Sequence, residues 1–321
     1  MPAGLPARRR GGPALVGPLL AGLLGLGLLG GCGMGPPPSG QEAADLIGAP
    51  PAPSPRARAL AGYYQRLQRH LLAQGLLRRD GGGPDTGFRS LDLARNFTAI
   101  AFYDEHSGGE LSQSRAEVSR FHPWRGPVRI AGYFGPSVSA AQRSQDSETL
   151  RSYASRLARI TAQPITTDAA NPNFHVLFMG ADDNDALRET VRKVWPDFPA
   201  SRLDRLTQLP RDIYCLVHTN TPSAAWGRER AIALIRAEHP DLMRLSCIHE
   251  ELAQGLGLSN DSPFARPSIF NDDEEFATLT SHDELLLKML YDPRLKSGMS
   301  LEAAQPIIRQ IAQELAGEIG S

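Results

Sequence analysis

The stretch at residues 247–261 reads CIHEELAQGLGLSND and carries the most distinctive polar pattern in this sequence. We expect it to form a helix that ends where Gly257 turns the chain. Two adjacent acids, Glu250 and Glu251, lie in this helix, and Gln254 follows Glu250 by one helical turn. Because residues four apart share a helix face, the stretch predicts a polar cluster near the helix end.

The visible His-Glu pair suggests a zinc site but does not complete one. A zinc-peptidase helix carries His-Glu-x-x-His, so that two imidazoles on one face bind the ion and the Glu acts as general base on its water. Placing His249 and Glu250 at the start of this pattern puts Ala253 at the second ligand position. Alanine cannot bind a metal, so this register fails, and we interpret His249 as a structural or surface histidine.

Sliding the pattern by one residue fits better. Glu250, Gln254 and Asn260 then take the three ligand positions. Glu251 takes the position of the general base, and Gly257 that of the glycine that turns the chain. This arrangement resembles the matrixin-like branch of the metzincins with each histidine replaced, and it implies a zincin-like fold.

Later stretches extend the resemblance. Residues 279–292 (LTSHDELLLKMLYD) resemble the closing helix of matrixins, where Ser281 and Glu284 form a capping box. Residues 268–272 (SIFND) stand where metzincins have their Met-turn, but no methionine lies near them. Over about residues 95–299 the chain also resembles a family of proteobacterial envelope lipoproteins that is defined by a domain of unknown function. That family brings no known activity with it.

The replaced ligands determine which chemistry to expect. The oxygens of Glu250, Gln254 and Asn260 make a poor zinc site and a modest site for a hard divalent cation such as Ca²⁺. Without zinc, nothing lowers the pKa of water to about 7 for attack. We therefore expect no cofactor, with a bound divalent cation as the alternative. In a purely structural alternative, these side chains hydrogen-bond around the turn at Gly257.

The N-terminus predicts export and lipid anchoring. Residues 1–31 read as a signal peptide, because three arginines precede an uncharged run that is shorter than the roughly 20 residues of a bilayer span. The run ends in Leu-Gly-Gly-Cys32, which resembles a bacterial lipobox and implies lipidation of Cys32; a plain signal peptide is the alternative. Residues 32–58 are Pro-rich and predict a disordered tether. The expected location is the cell envelope, facing the periplasm.

The remaining chain predicts an α/β (α+β) fold with a mixed, twisted sheet and packed helices. We expect an amphipathic helix at 59–80, the metzincin-like domain at 93–299 and a C-terminal helix at 300–321. The predicted strands are 97–103, 128–134, 174–179, 212–218 and 231–235, and the predicted helices of the domain include 144–161 and 184–195.

Cysteine usage and charge limit the partners. Cys215 and Cys247 remain besides Cys32, and an oxidising periplasm favours a disulfide between them, with metal ligation as the rival. Removal of residues 1–31 takes away three arginines, so the formal net charge falls from −1 to about −4, and this weakly acidic balance argues against a nucleic-acid partner. The sequence thus predicts a lipid-anchored envelope protein whose domain binds a peptide or protein partner, or is purely structural. The alternative is a metal-dependent peptidase or amidase with Glu251 as general base.

Overall fold

A computed structural model of the chain describes residues 50–103, 118–167, 170–220 and 227–319. Within these ranges a five-stranded sheet has the order β2-β1-β3-β5-β4. Its strands are β1 (Val128–Phe134), β2 (Ile165–Thr166), β3 (Phe174–Met179), β4 (Cys215–Asn220) and β5 (Arg230–Arg236). Neighbouring strands are parallel, except that β4 is antiparallel to β5. The predicted mixed sheet is therefore confirmed.

Eight α-helices pack around this sheet in the described ranges. They are α1 (Pro55–Ala73), α2 (Ser90–Ala101), α3 (Ala140–Thr161), α4 (Asn184–Val194), α5 (Ala200–Thr207), α6 (Asp241–Leu256), α7 (Ser281–Leu290) and α8 (Leu301–Ile319). None of these described helices combines the length and apolar character needed to cross a bilayer. The predicted signal peptide, Cys32 and residues 33–49 of the tether lie outside the described residues.

Helices cover both faces of the sheet, as a mainly parallel sheet requires. Because successive side chains of a strand point to opposite faces, Phe174 and Phe178 of β3 join the larger core, which also includes α3 and α6. Leu177 and Met179 join a smaller core with α4 and α5. The continuous apolar run of β3 is explained by this double burial. α8 adds buried side chains to the larger core and packs on α2, so the C-terminal helix belongs to the same domain.

The N-terminal helix begins earlier than its apolar pattern predicts. Ser54 caps α1, because its Oγ accepts the Ala57 backbone N–H at 3.1 Å, and Pro55 is the first helical residue. Residues 55–58, which we assigned to the tether, are therefore helical, and α1 ends at Ala73 rather than near residue 80. Tyr64 of this helix is fully buried, and its hydroxyl donates to the Arg211 carbonyl at 2.9 Å.

The strand predicted at 97–103 is wrong. Most of this stretch belongs to α2, and its buried residues Leu93, Phe97, Ile100 and Ala101 follow helical spacing. A short continuous apolar run is compatible with either a buried strand or a buried helix. Here α2 packs against both α7 and α8, and this packing favours the helix.

Two local predictions also need correction. The capping box of α7 uses Thr280 and Asp283, one residue before the predicted Ser281 and Glu284. Thr280 Oγ1 accepts the Asp283 N–H at 3.1 Å, and the Asp283 carboxylate accepts the Thr280 N–H at 2.9 Å. The short helix α5 was not predicted, because its eight residues give little periodic signal.

Candidate functional site

A disulfide joins the first residue of β4 to the middle of α6. Cys215 and Cys247 are bonded, with their Cα atoms 5.9 Å apart, which confirms the predicted pairing. Cys247 is 2% exposed, whereas Cys215 is half-buried. The bridge fixes the motif helix against the edge of the sheet.

Glu250 and Glu251 lie beside this disulfide. One carboxylate oxygen of each residue and the Cys215 sulfur all lie within 4.8 Å of one another. Glu251 is 2% exposed, and Glu250 is half-buried. A disulfide sulfur carries no negative charge and is a weak metal ligand, so this cluster is not a thiolate site while the bridge is intact.

Gln254 and Asn260 make different contacts. The Gln254 side-chain amide donates to Asp261 Oδ1 at 3.2 Å. The Asn260 amide donates to the carbonyls of Ala99 at 2.9 Å and Asp261 at 3.0 Å. Asn260 therefore ties the loop after α6 to the last turn of α2. The three predicted ligand positions offer one carboxylate and two neutral amides, and this donor set does not suit zinc.

Gly257 ends α6 in a conformation that favours glycine. Its φ is 137°, and a Cβ built on it would lie 3.1 Å from Leu290 Cδ1. The Tyr291 hydroxyl donates to the Leu256 carbonyl at 3.1 Å, so the end of α7 packs directly on this turn.

His249 packs α6 against α3 and against the segment before α7. Its Nδ1 accepts the Leu279 N–H at 3.0 Å, and its ring stacks on Tyr153 with centroids 3.9 Å apart. The Tyr153 hydroxyl donates to the His249 carbonyl at 2.9 Å. Burial, with smaller contributions from Arg156 and Arg79, lowers the pKa of His249 to about 3. The imidazole is thus neutral.

The strand histidines lie on the sheet face opposite α6. Phe174 contacts Gly255 of α6, so its neighbour His175 points to the other face. There the hydroxyl of Tyr133 and His175 Nδ1 are 3.1 Å apart. His218 packs against Trp195, with ring centroids 5.5 Å apart. Neither histidine is placed to join the α6 acids.

The acidic loop at 271–275 is partly buried. Burial, and then the charges of Asp272 and Asp273, raise the pKa of Glu274 to about 7. Burial raises the pKa of Asp272, a hydrogen bond with the Asp261 side chain opposes this rise, and the charge of Asp273 adds to it. Asp272 and Glu274 both adopt positive φ, of 60° and 58°. The acids of this loop therefore approach the polar end of α6.

His239 is a site residue that the sequence did not reveal. It is 3% exposed, and its Nδ1 lies 3.7 Å from the Cys247 sulfur. Its Nε2 has no hydrogen-bond partner among the described residues. Tyr64 of α1 packs edge-on against the ring, 4.4 Å between centroids. Burial, with smaller contributions from the charges of Arg236 and Arg244, lowers the pKa of His239 to about 3. Its position before Pro240 gives no motif by which to find it.

Comparisons with known proteins identify a family without a known activity. No curated protein and no solved structure gives a significant match. The model of the family described as "Protein of unknown function (DUF2927)" matches residues 90–310, from the first residue of α2 into α8. This match covers more than half of the sequence and includes all five strands. The chain therefore belongs to the DUF2927 family.

Proposed function

We propose that this protein is a lipid-anchored component of the cell envelope whose zincin-like domain binds an extended segment of a peptide or protein partner without cutting it. The observation that carries the binding proposal is the position of β4. This strand lies at the edge of the sheet, antiparallel to β5 and packed beside α6.

The edge of β4 is suited to accept another strand. Within the described residues, β4 pairs with β5 alone, so its other side presents backbone N–H and C=O groups. Edge strands are commonly protected by proline or by charged residues, but β4 reads CLVHTN and contains neither proline nor lysine. An extended peptide can therefore add to the sheet here through main-chain hydrogen bonds.

The nearby charges favour a basic segment. One carboxylate oxygen of Glu250 and one of Glu251 lie within 4.8 Å of Cys215 Sγ, at the start of β4. A lysine or arginine of a segment bound along β4 would meet the half-buried Glu250 at this end of the strand, near the buried Glu251. Such electrostatic complementarity raises the association rate and selects against acidic partners.

The donor set supports binding rather than hydrolysis. Glu251 occupies the position of a general base, but the amides of Gln254 and Asn260 are hydrogen-bonded and do not form a zinc site. The zincin-like character is supported by the end of α6 at Gly257 and by the packing of Leu290 on that turn.

The binding proposal is tested with selected peptides. Peptides that bind the oxidised chain are selected by display, and hydrogen exchange is measured with and without them. We expect the bound peptides to protect the β4 amides from exchange. The charge reversal Glu250→Lys should lower the affinity for basic peptides at least tenfold. Glu189→Lys on the exposed face of α4 is the control with the same change in net charge. Protection confined to another surface would overturn the proposal.

The non-catalytic part is tested by metal analysis and activity. Oxidised protein purified without chelators is examined by inductively coupled plasma mass spectrometry, and stoichiometric zinc that is lost in Gln254→Ala would contradict the proposal. A peptidase or amidase activity would also contradict the proposal if Glu251→Gln abolishes it without changing the melting temperature.

The lipid anchor has its own test. Mass spectrometry of the protein from membranes should find an acylated N-terminal cysteine at position 32. Cys32→Ser should release the protein from the membrane fraction. An unmodified mature N-terminus would rule out the anchor and leave the peptide-binding proposal standing.

A further inference from the structure

The disulfide stands within a set of potential metal ligands. Cys247, Glu250 and Glu251 occupy positions i, i+3 and i+4 of α6, so they share one helix face. Cys215 of β4 faces them, with its sulfur and one oxygen of each glutamate within 4.8 Å of one another. One sulfur and two carboxylates, drawn from two elements, thus converge on one place, and the Cys247 sulfur is bonded to that of Cys215.

His239 is a second, independent feature of this place. The imidazole is 3% exposed, its Nδ1 faces the Cys247 sulfur at 3.7 Å, and its Nε2 has no hydrogen-bond partner among the described residues. A disulfide sulfur is a weak hydrogen-bond acceptor, whereas a thiolate is a strong one. The buried imidazole is therefore better matched to a thiolate at Cys247 than to the disulfide.

We propose that reduction of the Cys215–Cys247 disulfide creates a binding site for a zinc-type divalent cation, with Cys215, Cys247, Glu250 and Glu251 as its ligands. A dithiol reductant supplies two electrons and two protons, which convert the disulfide to two thiols, and is itself oxidised to a disulfide. Binding of the cation then releases the two thiol protons and forms two metal–thiolate bonds. His239 donates its Nδ1–H to the Cys247 thiolate and acts as a positioning residue.

The ligand set has the chemistry and spacing that zinc prefers. Thiolate and carboxylate ligands bind zinc tetrahedrally at about 2.3 and 2.1 Å, which places ligand atoms roughly 3.5 Å apart. Rotamer changes of the glutamates can close the present spacing of up to 4.8 Å, and breaking the sulfur–sulfur bond lets the two sulfurs separate.

This site is different from the position of the metzincin ligands, because Gln254 and Asn260 take no part in it. It shares Glu250 and Glu251 with the proposed peptide site along β4, but that site belongs to the oxidised protein and the cation site to the reduced protein. In oxidised protein the disulfide occupies the two sulfur positions, so the cation binds only after reduction. The domain would then report the thiol redox state of its surroundings.

The test uses the full chain with Cys32→Ser, so that Cys215 and Cys247 are the only cysteines. Co²⁺ is added to oxidised protein and to protein reduced with a phosphine, and thiolate-to-cobalt charge-transfer absorption is recorded. We expect one equivalent to bind the reduced protein, displaceable by Zn²⁺, and no such absorption in the oxidised protein. The double variant Glu250→Gln, Glu251→Gln should weaken Co²⁺ binding to the reduced protein at least tenfold. The control variant Glu189→Gln should leave it unchanged.

Each outcome decides the matter. No charge-transfer band in folded, reduced protein would overturn the site. Equal affinity in the double glutamine variant would do the same, because two cysteines of an unfolded chain bind metal without help from the glutamates. If reduction unfolds the chain, Zn²⁺ must restore the native circular dichroism, since metal binding to a native site supplies folding free energy. Failure to refold also contradicts the proposal.

Discussion

Arg244 of α6 and Asp146 of α3 form a buried ion pair in which Arg244 Nε lies 2.7 Å from Oδ1 and 2.8 Å from Oδ2 of the carboxylate. Both side chains are 3% exposed. Arg244 Nη1 also donates to the His239 carbonyl at 2.7 Å, and Nη2 donates to Asp241 at 2.9 Å. One guanidinium thus fixes α3, α6 and the loop before α6 in a single arrangement.

Removing one partner of this pair should strongly destabilise the protein. Arg244→Met leaves the Asp146 carboxylate buried without its cation, and we expect a loss of about 3–5 kcal/mol in the free energy of unfolding. Urea unfolding measures it. The double variant Asp146→Leu, Arg244→Met should recover much of this loss, because no charge then remains buried. Arg151→Met, which breaks the exposed pair with Glu148, should cost less than about 1 kcal/mol. Similar losses of unfolding free energy in Arg244→Met and Arg151→Met would contradict this explanation.

The turn at Gly257 gives a second prediction. Gly257→Ala forces a residue with a Cβ to adopt φ near 137° and places that Cβ 3.1 Å from Leu290. We expect a loss of about 1–3 kcal/mol in the free energy of unfolding. Gly87→Ala is the matched control, since Gly87 has a φ of −62° and a Cβ added to it would meet no atom within 4 Å. If both variants unfold at the same urea concentration, the turn does not require glycine.

Long, regular elements could be predicted from the sequence, and isolated contacts could not. Strands at 128–134 and 174–179 and the motif helix after Pro240 follow from apolar runs and turn residues that agree with their burial. The run at 97–103 failed because α7 and α8, which are remote in sequence, decide that it is helical.

The candidate site shows the same limit. The pairing of Cys215 with Cys247 was predictable from the small number of cysteines and the expected compartment. The approach of His239 to Cys247 depends on how the loop before α6 folds back on the helix. The burial that raises the pKa of Glu274 depends on the packing of its loop, whose backbone pairs with Leu77. No local pattern in the sequence encodes either contact.

Loss of the disulfide should reduce stability by an amount set by its loop. Cys215 and Cys247 are 32 positions apart. Restriction of the unfolded chain by a loop of this size contributes about 3–4 kcal/mol. We expect Cys215→Ser with Cys247→Ser to lower the free energy of unfolding by this amount in the presence of a chelator. Cys32→Ser should have no effect. An unchanged midpoint in the double variant would show that the bridge does not stabilise the fold.

Buried histidines predict loss of stability in acid. The pKa of His249 in the folded protein is about 3, below its ordinary value of 6.5, so the unfolded chain binds its proton more readily. Stability is therefore fully present above about pH 6.5 and falls as the pH is lowered toward 3. His249→Gln should reduce the pH dependence of the unfolding free energy between pH 6.5 and 4. His70→Gln, on the exposed face of α1, should not. The slope is measured by urea unfolding at several pH values, and an unaltered slope in His249→Gln would disprove this origin.

Glu274 should act on stability with the opposite sign. Burial and the neighbouring acids raise its folded pKa to about 7 from an ordinary value of 4.5, so the folded protein binds this proton more tightly than the unfolded chain. The protonated carboxyl stabilises the fold below about pH 4.5, and this contribution is lost as the pH rises through 7. Glu274→Gln keeps the side chain neutral at every pH. It should therefore raise the melting temperature at pH 8, and the gain over the natural protein should shrink toward pH 5. Glu302→Gln on the exposed surface of α8 controls for the loss of one negative charge. A gain that is equal at both pH values would place the effect in net charge rather than in the burial of Glu274.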